Sequence, residues 1–134
     1  MKLEDQVCSL ELAKRLKEFG VKQESEFYWV HVPGKPYFLL NEGSTLVKAM
    51  DGRSYFDDGN ATSAFTSSEL GEILPHFAYS KKVLGDSFRW FCIFEKTPVG
   101  KEFLSEKSYE YAQTEADARA NMLIHLIEKG IVTP

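Results

Sequence analysis

Three histidines, His31, His76 and His125, carry the side chains that titrate nearest neutrality, so acid–base or metal chemistry would start with them. Alternation along an apolar run places His31 on one strand face with Phe27 and Trp29, while His76 follows Pro75 and His125 falls within a helical pattern. None has a second histidine, a cysteine or a carboxylate at metal-ligand spacing, and H-E-x-x-H does not occur. They read as packed or surface histidines, and an enzyme would need them to meet a carboxylate in space. Asp51, Asp57, Asp58 and Asn60 are oxygen-rich, but the EF-hand spacing is absent and the segment is good turn chemistry. Of the two cysteines, Cys92 lies among aromatics in a strand pattern and Cys8 lies near a helix N-terminus, where a dipole lowers a thiol pKa. Both read first as reduced, buried thiols, without a CxxC partner and without a G-x-S-x-G elbow elsewhere. Neither G-x-G-x-x-G nor a Walker loop occurs, so no cofactor is implied.

The aromatic residues are the richer signal. Tyr28, Trp29, Tyr37, Tyr55, Phe56, Phe88, Trp90, Phe91, Tyr109 and Tyr111 all fall on expected strands or their ends. A sheet has two faces, and few helices are available to cover them. An uncovered aromatic face with Arg53 or Arg89 beside it would stack bases or pair with another protein surface. The candidate ligand or partner surface is therefore Trp29, His31, Tyr55, Arg89, Trp90, Tyr109 and Tyr111. Lys81, Lys82, Arg89, Lys96 and Lys101 scatter positive charge around the same strands.

Helices and strands must position these groups. Ser9 caps a first helix running to Phe19, with Leu10, Ala13, Leu16 and Phe19 as its apolar stripe and Gly20 at its end. Strands are expected at Phe27–Val32, Tyr37–Leu40, Thr45–Met50, Arg53–Phe56 and Ala61–Phe65, separated by turn residues. Thr66-Ser67-Ser68-Glu69 is a capping box, Phe65 and Leu70 can close a hydrophobic staple, and Pro75 ends that short helix. Phe88–Phe94 reads as a central strand apolar on both faces, and a further strand lies between Glu102 and Ala112. Thr114 opens the last helix, whose stripe is Ala116, Ala120, Leu123 and Ile127, with Gly130 as C-cap. The order is α, several β, a short α, two β, α. This is an α+β fold with one antiparallel sheet of roughly five to six strands.

The chain of 134 residues is 43% apolar and carries a net charge of −4, which suits one domain spanning 1–134. The acidic balance argues against a dedicated nucleic-acid binder and leaves room for a local basic patch. A first segment without a signal-peptide pattern, and no run of ~20 apolar residues, point to a cytoplasmic protein without a membrane partner.

Three segments resemble a group of small, uncharacterised proteins of phage and prophage genomes: Cys8–Leu16 with Gly20–Ser25, Ala64–Pro75, and Thr114–Ile124. The resemblance implies a mobile-element origin and no particular activity. The expected function is thus a non-enzymatic binding or interaction module, as a homodimer or with a partner protein. The alternatives are a small nucleotide or nucleic-acid binder, and an enzyme assembled from dispersed histidines and carboxylates.

Overall fold

The computed structural model describes residues 2–41, 60–75, 78–83, 89–96 and 106–134. Their elements are α1 (Leu3–Gln6), α2 (Leu10–Glu18), β1 (Phe27–Val30), β2 (Phe38–Asn41), β3 (Ala61–Ser63), α3 (Ser67–Ile73), β4 (Ala78–Val83), β5 (Arg89–Lys96), β6 (Glu106–Ala112) and α4 (Glu115–Glu128). The class is α+β, and these strands pair antiparallel. Among the described residues no helix is long and apolar enough to cross a membrane.

The expectation of a single sheet is corrected: among the described residues the strands form two three-stranded sheets, β2-β1-β3 and β4-β5-β6. The outer edge of β3 shows why the first sheet stops there. Bonds from His31 N–H to the Asn60 carbonyl and from Ala64 N–H to the Phe27 carbonyl set the register with β1. That register turns the Ser63 N–H and the Ala61 carbonyl away from β1. Gln23 Oε1 accepts from the Ser63 N–H at 2.8 Å, and Lys17 Nζ donates to the Ala61 carbonyl at 3.0 Å. Side chains thus occupy the row of groups that a fourth strand would need.

The expected order also lacked two elements. Helix α1 is one turn with no side-chain cap, too short to announce itself in sequence. Strand β4 was hidden because Lys81 and Lys82 are adjacent and break the alternation. The expected strands at Thr45–Met50 and Arg53–Phe56 lie outside the described residues.

The caps match their chemistry. Thr66 and Glu69 form the full capping box of α3. The Glu69 carboxylate also accepts from Ser25 Oγ at 2.8 Å and from the Glu26 N–H at 3.0 Å, which ties α3 to the entry of β1. Thr114 caps α4 by accepting from the Asp117 N–H. The Asp117 carboxylate accepts from the Ser9 N–H at 2.7 Å, joining the starts of α2 and α4. Gly20 ends α2 at φ 90°, a conformation costly for any residue with a Cβ.

Helix α4 lies on one face of the second sheet. Ala118 and Ala120 are fully buried and let it approach closely; Met122, Leu123 and Leu126 fill the core with Cys92 and Phe94 of β5. Ala13 and Leu16 of α2, Phe65, and Leu70 of α3 complete the same cluster. A smaller cluster of Tyr28, Val30, Leu40 and Ala61 lies in the first sheet.

Candidate binding face

Register divides the second sheet cleanly. Lys82, Trp90 and Ala112 sit side by side, as do Ser80, Cys92 and Glu110, and Ala78, Phe94 and Ser108. This face carries the buried Cys92 and Phe94 and meets α4. The intervening residues point the other way. Lys81, Phe91 and Tyr111 form one row of that outer face, and Tyr79, Ile93 and Tyr109 the next, with Arg89 and Glu95 before and after them on β5. Among the described residues no helix or strand packs on it. Tyr79, Tyr109 and Tyr111 are 50%, 48% and 55% exposed, the most exposed of the large aromatic side chains described. Phe91 meets Tyr111 edge to face, with ring centroids 4.7 Å apart. The expectation that β5 is central in its sheet holds; the expected cover on both sides is corrected, since among the described elements only α4 packs on it, from one side.

The edges of this sheet are poor templates for a further strand. Strand β4 carries Lys81 and Lys82, and β6 carries Glu106, Lys107 and Glu110. Charged edges discourage strand addition. Exposed Lys81 and Arg89 flank Phe91 on it, making one end locally basic.

The seven expected surface residues do not assemble as one group. Arg89, Tyr109 and Tyr111 share the outer face. Trp90 belongs to the α4 side of the same sheet, where Lys82 Nζ lies 5.9 Å from its ring centroid. Trp29 is in the first sheet, packed on the main core and donating from Nε1 to the Cys8 carbonyl at 3.0 Å. His31 stacks on Tyr37, and Lys14 Nζ stands over that same ring at 4.6 Å. Tyr55 lies outside the described residues, as do Arg53 and His76. Tyr79 and Ile93 were missed; Tyr79 is separated from the other tyrosines by about thirty residues, so only the pairing of β4 with β5 reveals its place.

Catalytic chemistry finds less support. His125 Nδ1 is 3.8 Å from Glu110 Oε1, beyond hydrogen-bond reach, and His31 is engaged with Tyr37. A cleft of about 770 Å³ is lined by Asp5, Glu26, Phe27, Lys82, Trp90 and Glu115 with hydroxyls beside them. Its described lining has no histidine and no thiol, and Glu115 is paired with Arg119 at 3.2 Å. Burial pushes the Cys8 thiol up to about 12, overriding any lowering by the nearby helix. The Cys92 thiol is pushed up to about 11 by burial, against the opposing pull of Arg119. Both are therefore held as inert thiols. Among the described residues no group of three or more histidines, cysteines and carboxylates is placed to hold a metal ion.

Compared with protein-family models, with curated proteins and with solved structures, the chain matches none.

Proposed function

We propose that this chain is a non-enzymatic binding protein whose contact surface is the outer face of the β4-β5-β6 sheet. The observation that carries this reading is the row arrangement of Tyr79, Phe91, Ile93, Tyr109 and Tyr111 on a face that no described element covers. A folded chain gains by burying such rings, and an exposed aromatic patch of this kind marks an interaction site. Tyrosine suits a surface that is alternately wet and covered, because its phenol hydrogen-bonds while its ring packs. A phage or prophage origin, supported by the resemblance of three capped-helix segments, fits a small accessory protein of this type.

Site-specific photo-crosslinking tests the face whatever the class of partner. A photoreactive phenylalanine analogue at position 109, in place of Tyr109, should yield discrete adducts in cells. The same probe replacing Lys22, an exposed residue paired with Glu24 and outside this sheet, should not. Equal adduct patterns from the two positions would overturn the reading.

A further inference from the structure

We propose that the outer face binds single-stranded nucleic acid, with bases stacked on Tyr109 and on the Phe91–Tyr111 pair and phosphates held by Lys81 and Arg89. This rests on the reading of that face as the contact surface and names its ligand. The ring positions come first. Tyr109 and Tyr111 are two residues apart on one strand, hence ~7 Å apart on the same face, and Phe91 lies directly beside Tyr111. Partly exposed rings on a sheet are platforms on which unpaired bases stack, whatever their sequence; Phe91 and Tyr111 stand edge to face, so that pair offers one ring face and Tyr109 another. The charge is complementary. Lys81 is the cross-strand neighbour of Phe91, and Arg89 precedes it by two residues, so both cations border the ring that would carry a base.

Area argues against a second copy as occupant. Three strands of about seven residues make a face roughly 14 Å by 24 Å, narrow for the ~800 Å² of accessible surface that each partner buries in a stable protein complex. A few nucleotides need far less. Duplex ligands are disfavoured because their bases are already stacked on one another. The acidic balance of the whole chain opposes tight, indiscriminate binding, so the interaction should be modest in affinity and confined to this patch.

Fluorescence anisotropy with labelled single-stranded RNA and DNA of about 12 nucleotides, and with the matching duplex, tests this. Single strands should bind at least about tenfold more tightly than the duplex, and Tyr109→Thr/Tyr111→Thr should weaken binding by about tenfold or more. For two phosphate contacts, log K should fall against log salt with a slope of about −1.4, reduced by about 0.7 in Arg89→Gln or in Lys81→Gln. Thermal melting verifies that each variant folds. Should the tyrosine variant melt early, the two charge variants, which alter exposed side chains, decide the matter. Absence of binding to either single strand would overturn the ligand assignment, and crosslinks from position 109 to a protein would then leave the face itself standing. Oligonucleotide binding unchanged in all the variants would overturn the ligand's placement on this face.

Discussion

Asp117 sits where a helix start favours a carboxylate and still has its main role elsewhere. Its position after Thr114 marks the first turn of α4, and its N–H is the group that Thr114 caps. Its carboxylate faces the start of α2, where burial pushes its pKa above the ordinary value of 3.8 while the Ser9 N–H pulls the other way. A raised value means that the folded chain holds this proton more tightly than the unfolded chain does. The resulting stabilisation is complete below the ordinary value and is lost as pH rises through the folded one. Asp117→Asn keeps an oxygen for the Ser9 N–H and removes the charge. In urea unfolding from pH 3.5 upward, this variant should gain stability relative to the native chain across that window and then hold a constant difference. A relative loss with rising pH would show that the Ser9 hydrogen bond outweighs burial. Only the spatial meeting of residues 9 and 117 produces this linkage, so no local pattern carries it.

At the scale of elements, the capped helices were legible because a cap is a local event. Ser9, Thr66 and Thr114 each accept from a backbone N–H three residues ahead, and Gly20 and Gly130 take positive φ at the helix ends. Strand pairing is not local. Whether β3 would gain a second neighbour was decided by Gln23 and Lys17, which sequence inspection passes over as ordinary polar residues. Gln23→Ala leaves the Ser63 N–H without its acceptor at a buried residue, and it should cost about 1–3 kcal/mol in denaturant unfolding. A cost near zero would mean that the edge of β3 is sealed by something other than this amide. Strand β4 was missed for a related reason. Its lysines belong to opposite faces of an edge strand, and only pairing with β5 shows that Lys81 faces outward while Lys82 lies over Trp90.

For the molecule as a whole, the two faces of the second sheet follow different rules. Phe94, beneath α4, is part of the core; Phe94→Ala should cost about 3–5 kcal/mol, because the cavity it leaves is walled by packed side chains. Tyr79→Thr and Tyr109→Thr place β-branched residues that suit a strand, and each should change stability by only about 0.5 kcal/mol. Comparing unfolding free energies across these variants separates side chains that hold the fold from those free to serve a partner. Large losses at Tyr79 or Tyr109 would assign the outer face to the fold and remove the basis for a binding surface.

Sequence alone determined the α+β class, the three capped helices, the β1–β2 turn and the burial of Cys92 and Phe94. Each follows from short-range spacing: a cap three residues from its acceptor, a period of two in a strand, glycine where φ must be positive. Tertiary structure alone decided that the described strands divide into two sheets, that the tryptophans turn inward, and that Tyr79 joins Tyr109 and Tyr111 beside Lys81 and Arg89. The physical reason is that alternation shows which residues of a strand share a face, whereas the covering of that face depends on elements far away in the chain. Helix α4 had one sheet face to bury its wide apolar surface against, and that choice left the tyrosines on the other.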